Sequence, residues 1–260
     1  MRRKLLSVPA AGICSLLLLS PVLISSTSTR MVYTPAAFYS ASKESSPATL
    51  RAVPSKSTRE ILAEKANVIY DSMQLRKRGL SRQAFELAYR GYYSLKRRGS
   101  VRNSILSICD FSQSANQRRL YIIDVKKMEL LVQTFVAHGK NSGGEYARTF
   151  SNSPESNKSS LGFFVTGRSY YGDHGLALKM RGMERGINCK ANARNIVIHG
   201  SEYVGSDYLV HHRRNGRSLG CPAIPAALTE TIINTIKNGS CVFIYHPTKY
   251  YLAKSTILNG

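Results

Sequence analysis

Two periods divide the hydrophobic positions of this chain. Between residues 58 and 99 apolar side chains recur at helical spacing, and beyond Gly99 they fall into short runs with strand spacing. Over 58–75, Leu62, Ala66, Ile69 and Met73 follow at intervals of four, three and four, Ile61 and Val68 widen the stripe, and Thr58 stands where a cap is needed. A second helix is predicted over 81–95, where Phe85, Ala88, Tyr89, Tyr92 and Tyr93 make an aromatic face suited to packing. After residue 99, β-rich runs at 104–111, 119–125, 130–137, 161–166, 194–199 and 241–245 are separated by polar or glycine-containing turns, with Lys126-Lys127-Met128 as a hairpin connection. A helical pattern returns at 227–236. Strands this short with no long helix between them argue against βαβ units. They predict a mainly β fold, an antiparallel β-barrel or sandwich, with an N-terminal helical lobe.

The stretch before residue 58 lacks either period. Arg2, Arg3 and Lys4 precede a largely apolar segment at 5–24, and Ser26-Thr27-Ser28 supplies the small residues a signal peptidase reads. Residues 1–28 are therefore expected to be an export signal, cut after Ser28, with an uncleaved membrane anchor as the alternative; Pro9 and Pro21 dilute such a span. Ala11-Gly12-Ile13 before Cys14 suits a lipoprotein site poorly. Residues 29–57, rich in Ser, Thr, Ala and Pro, read as a flexible linker. A helical lobe at 58–99 and a larger domain at 100–260 remain, enough chain for one sizeable core.

Candidate chemistry lies at 193–225, where His199 and Cys221 stand 22 positions apart. A base and a thiol meet if His199 ends a strand and Cys221 begins the element opposite it. The run 194–199 reads as such a strand, with Ile196 and Ile198 on one face and Gly200 as its stop. Pro222 biases Cys221 away from a helix interior, and Gly220 lets adjacent amides point at a developing negative charge. Taken alone, a cysteine is more often a small buried hydrophobe. Arg213, Arg214 and Arg217 alter that balance, because cationic surroundings depress a thiol pKa.

The segment Gly216-Arg217-Ser218-Leu219-Gly220-Cys221-Pro222, with the His199-Gly200 pair upstream, resembles the L,D-transpeptidases of bacterial cell-wall peptidoglycan (murein; YkuD-like), in the branch with Gly-Arg-Ser-x-Gly-Cys-Pro. The resemblance continues through 150–167, 170–175 and 194–200 and back to the ICDFS run at 108–112. Two departures stand out: Leu219 replaces an aromatic residue usual in the branch, and Pro222-Ala223 replaces a hydrophobic residue and an arginine common in the wider family. The resemblance implies a cysteine-dependent transferase that makes 3→3 crosslinks between peptidoglycan stem peptides through a thioester. Cys221 would be the nucleophile and His199 the base, with Ser218, Gly220 and Gly200 completing the catalytic set; a backbone carbonyl near Gly200 is expected as the partner of His199. Ser160, Gly162 and Phe163 would line the cleft with Arg217, His174 and Tyr203 as further substrate contacts, although Ser151, Ser153, Ser159 and Ser160 fit equally well as turn residues. The same residues allow an L,D-carboxypeptidase, an enzyme anchoring an envelope protein to the wall, or a non-catalytic wall-binding protein.

Charge and cysteines add compartment and partners. The formal net charge is +22, spread over helices, turns and the thiol loop. In the absence of a nucleic-acid module, and with an export signal, that charge reads as retention at the anionic cell envelope, in the periplasm or at the wall, rather than as nucleic-acid binding. No cofactor is expected, and the scattered histidines show no metal-ligand spacing. Cys109 and Cys241 lie in apolar runs and read as core, whereas Cys189, in a polar loop, could pair with Cys221 as an inhibitory disulfide. A monomer is expected.

Overall fold

The computed structural model describes residues 56–260 apart from His174, so the signal and nearly all of the linker lie outside the described residues. In chain order the elements are α1 (Thr58–Ser72), α2 (Arg82–Arg97), β1 (Ile105–Asp110), β2 (Leu120–Asp124), β3 (Glu129–Thr134), β4 (Gly162–Gly172), β5 (Gly175–Gly182), β6 (Val197–Ser201), α3 (Ser206–His211), β7 (Ala223–Pro225), α4 (Thr229–Ile236), β8 (Cys241–Tyr245), α5 (Lys249–Lys254) and α6 (Thr256–Asn259).

The helical lobe forms as its pattern predicts, with one shift: Ser57, not Thr58, caps α1. Its side chain accepts the Glu60 N–H while the Glu60 carboxylate reaches back to the Ser57 N–H, satisfying two orphan donors reciprocally. Ser81 caps α2 in the same position. The aromatic face of α2 packs: Phe85 is fully buried with its ring 5.8 Å from that of Tyr70 on α1. At Gly91 the helix lies flush against the sheet, since a Cβ there would fall 2.0 Å from the Phe163 ring. Phe163 in turn stacks on Phe243 of β8 at 4.2 Å.

The strands form one sheet in the order β3-β2-β1-β8-β4-β5-β6-β7. It is mixed rather than antiparallel throughout, because β1 pairs with β8 and β6 with β7 in parallel. Both parallel pairs join strands distant in sequence, which local patterning does not reveal. β8, last of the strands in sequence, occupies the middle of the sheet. The two edges then meet: beyond β3 the chain reaches Ala137, whose N–H donates to Ala223 O of β7 at 2.8 Å, so the sheet curls into a nearly closed barrel with a thin seam. β5, unread in the sequence, returns from β4 through a tight turn in which Gly172 faces Gly175.

β1, β2 and β8 are buried along almost their whole length, which is why ILSICD, LYIID and CVFIY read as near-continuous apolar runs. A buried carboxyl pins the start of β4. Glu184 accepts the Phe163 N–H at 2.8 Å, the Tyr251 hydroxyl of α5 at 3.3 Å and the Ser255 hydroxyl. Burial pushes its pKa up, against these bonds. Gly162 is glycine because any Cβ would strike that carboxylate.

Candidate active site

The seam positions the site. His199 sits in β6, paired with Ala177 of β5 on one side and Ala223 of β7 on the other, and is buried. Its Nδ1 lies 2.9 Å from Gly200 O. A carbonyl can only accept, so Nδ1 carries the proton and Nε2 is the ring's basic nitrogen. Gly200 does not stop the strand, which runs on to Ser201; a Cβ there would lie 2.0 Å from Thr229 Oγ1, so only glycine lets β6 pass beneath α4. At the other end the strand begins at Val197, not Arg194, because Asn195 takes a left-handed turn (φ 53°), a conformation asparagine tolerates.

Cys221 lies two residues ahead of β7, alongside β6. Its Sγ accepts the Val197 N–H at 3.5 Å and faces Asn195 O at 3.6 Å, so the thiol stands beside the strand two positions from His199. The turn that carries it is closed by Ser218, whose Oγ donates to Cys221 O at 2.6 Å and accepts the Gly220 N–H at 3.0 Å. Before the turn, Ser218 N donates to His138 O and Lys140 N to Ser218 O; after it, Ala223 meets Ala137. The thiol turn is thus sewn to 137–140 on both sides. Gly220 (φ 129°) lies against Lys158 O and Arg194, where a side chain would be both strained and crowded.

Two cationic arrangements flank the turn, one buried and one partly buried. Arg119 is fully buried; it donates from Nε and Nη2 to Val136 O at 3.1 and 2.9 Å, from Nη1 to Gln113 O at 2.8 Å, and packs over the Phe111 ring. Its Nη2 also meets His138 Nδ1 at 2.8 Å, which makes Nδ1 the acceptor and leaves His138 protonated on Nε2. Burial first, then the Arg119 charge, pull His138 down to about 4. Nearer the thiol, Arg194 reaches into the 151–160 segment.

The electrostatics differ from the sequence reading. Burial pushes the Cys221 thiol up, against the Val197 N–H and the positive charge of Arg194. Arg213, Arg214 and Arg217 do not act on it. Arg217 instead donates to Lys140 O and Gly143 O, both at 3.0 Å, holding the loop that follows the seam.

Other predicted residues divide by burial. Phe163 and Gly162 belong to the core beneath α2 and beside Glu184, and they cannot line a cleft. Ser160 is buried as well; its hydroxyl donates to Ser151 O at 2.8 Å and accepts from Arg194, a framework role. Ser159 reaches the thiol turn directly, donating to Gly220 O at 3.2 Å while accepting the Gly139 N–H. Tyr203 packs against Gly216 and the Phe135–Ala223 cluster, and its hydroxyl is pushed up by burial with a contribution from Cys221. Asp173 lies in the turn that follows β4, and His174 lies outside the described residues. Leu219 is 66% exposed, away from the packed side of the turn. Cys109, Cys189, Cys221 and Cys241 are all free thiols. No helix among the described residues is long and apolar enough to cross a membrane.

Comparison with known proteins follows the same outline. Among solved structures, the chain resembles an L,D-transpeptidase from Mycobacterium smegmatis (12% identity, 55% of this chain and 59% of that one, TM-score 0.34). It also resembles the helical cell shape determining protein Pgp2 from Campylobacter jejuni (16% identity, 61% and 56%, TM-score 0.35). The chain spans less than two thirds of these proteins. Among curated proteins none matches. The family described as L,D-transpeptidase catalytic domain matches residues 76–245, from the turn between α1 and α2 to the end of β8 and across every element of the seam. The chain therefore belongs to that family and carries an L,D-transpeptidase catalytic domain.

Proposed function

We propose that this protein joins peptidoglycan stem peptides in 3→3 linkage through a thioester on Cys221. The observation that carries the reading is the thiol held beside β6, two residues from an imidazole whose Nδ1 is fixed by Gly200 O. His199 Nε2 removes the Cys221 proton, and the sulfur attacks the carbonyl carbon of the third, diamino acid residue of a tetrapeptide donor. The carbon–nitrogen bond to the terminal D-alanine breaks, and the imidazolium returns the proton to the departing amine. The side-chain amine of a neighbouring stem then attacks the thioester carbonyl, its proton passes to His199, and the thiolate leaves. Because the Gly220 N–H is engaged by Ser218, the oxyanion falls to the Cys221 N–H. The burial that raises the thiol pKa makes prior proton removal by the imidazole the step that activates it.

Acceptor choice follows from charge near the turn. A cavity of about 730 Å³ beside Gly216 and Arg217 is lined by Lys140, His212, Arg213 and Arg214, with Glu145 its one acid. Such a surface favours a carboxylate-bearing stem over water or a lysine-bearing protein. Purified protein incubated with a tetrapeptide donor under reducing conditions should gain, on Cys221, the mass of the donor less alanine. Wild-type protein that forms no adduct would sink the reading. Neutralising Arg213 and Arg214 should slow crosslink formation more than donor acylation; equal loss in both steps would remove the acceptor role.

A further inference from the structure

Arg194 bridges the thiol turn and the segment that faces it. Its Nη1 donates to Ser151 O at 2.7 Å and Ser160 Oγ at 2.5 Å, and its Nη2 to Lys158 O at 2.7 Å and Ser156 Oγ at 3.2 Å. On the opposite side, Nη2 lies 3.4 Å from where a Cβ of Gly220 would be, one residue from Cys221. The guanidinium is partly buried, its Nε is buried without an acceptor, and the described residues offer it no carboxylate partner. A partly desolvated cation held only by neutral acceptors is an incomplete ion pair.

We propose that Arg194 is a positioning residue with two separable roles: its planar fork clamps the 151–160 segment onto the Gly220 turn, and its unpaired charge holds the Cys221 thiolate. This rests on Cys221 being the nucleophile. Four acceptors spread around one side chain suit the fixed fork of arginine and exceed what an ammonium can satisfy with the same geometry. The charge role rests on the approach of Nη2 to Gly220, one residue before Cys221; in keeping with it the Arg194 charge favours the thiolate, against the larger effect of burial. Tyr203 also couples to the sulfur, its hydroxyl disfavoured from ionising by the thiolate, and His199 lies two positions along β6 from the Val197 N–H that the sulfur accepts. Arg194 is therefore the fixed positive charge at the site. The network also explains why a serine-rich loop with few apolar residues holds its shape: four of its polar groups converge on one guanidinium.

Two variants separate the roles. Arg194→Gln removes the charge, and Arg194→Lys keeps the charge but loses most of the fork. Iodoacetamide alkylation of the intact protein is followed peptide by peptide as a function of pH, with added N-acetylcysteine as the reference thiol, and amide exchange is followed over 151–160. Arg194→Gln should move the Cys221 midpoint up by about one pH unit or more, as expected for a lost neighbouring charge. Arg194→Lys should restore most of that shift, while exchange over 151–160 accelerates about tenfold, the equivalent of one strong hydrogen bond. If the glutamine variant fails to fold, Arg194→Met takes its place in the charge test, and Ser160→Ala decides the clamp. A Cys221 midpoint raised equally by Lys and Gln would overturn the charge role, and unchanged exchange over 151–160 in both Arg194→Lys and Ser160→Ala would overturn the clamp. No donor peptide is used, so these results stand apart from the acylation test: a missing acyl adduct would count against the transferase reading and leave the alkylation profile to judge Arg194.

Discussion

The two halves of the sheet are held together differently. β2, β1 and β8 are buried along nearly their full length, whereas β6 and β7, which flank the site, are only five and three residues long and close the sheet against the 137–140 segment. In the first half hydrophobic burial and ladder hydrogen bonds fix the backbone. In the second, polar side chains fix it instead. Ser218 closes the turn, Ser159 holds Gly220 O, and Arg119 and Arg194 fasten the flanking segments. The contrast teaches that reactivity and stability should respond to different residues, and each of the following substitutions tries to break that separation.

The largest effect belongs to the thiol. Cys221→Ala should abolish donor acylation, a loss of at least about 10³-fold for a nucleophile, while thermal unfolding stays within a few degrees of wild type. An acylated Cys221→Ala protein would place the nucleophile elsewhere. His199→Ala should cost about 10²–10⁴-fold in the acylation rate, the range for a general base, again with little change in melting temperature. A fall in stability as large as that in rate would make His199 a structural residue of β6.

Substitution in the core beneath α2, at the start of β4, should invert the pattern. Phe163→Ala removes a fully buried ring between Gly91 and Phe243 and should destabilise by about 3–5 kcal/mol in denaturant titration. Folded molecules should still alkylate Cys221 at the wild-type rate; a selective loss at Cys221 would couple the core to the site.

His138 sharpens the comparison through pH. Its imidazole ionises at about 4 in the folded protein against an ordinary 6.5, so the unfolded chain takes up the proton first as pH falls. Stability should decline between about pH 6.5 and pH 4 by as much as about 3 kcal/mol, and His138→Gln should flatten that slope in urea titrations. An unchanged slope would show that another group sets the acid limit. The smallest effect is expected from Ser218→Ala, about 1–3 kcal/mol for the unsatisfied turn groups, seen as slower acylation with near-normal unfolding of the core.

The same contrast governs what can be read from the chain. The doubly buried strands announce themselves as apolar runs, and the helical lobe shows a clean stripe begun by the Ser57 and Ser81 caps. β5 is concealed because Ala177, Lys179 and Met180 are residues at home in helices, and its strand character comes from its neighbours β4 and β6. β7 is three residues long and ends in proline, below the length at which alternation can be seen. Around the thiol, the motif makes His199, Ser218, Gly220 and Cys221 legible. Arg194 is not legible in this way, because its partners Ser151, Ser156, Lys158 and Ser160 are brought to it only by folding. Phe163 misleads for the opposite reason: the resemblance implies the cleft, but the residue lies in the fully buried start of β4, beneath Gly91.

The central place of β8 bears on how the protein comes into being. During synthesis, His199 and Cys221 are both translated before Cys241, yet the strand that joins β1 to β4 is still missing at that moment. A nascent chain that already holds every residue of the thiol motif can pair β2 with β1 and β5 with β4, but it cannot join the two halves into one barrel. The sheet around the thiol is therefore complete only once the last strand is in place, and a chain that ends before β8 is expected to leave Cys221 unreactive.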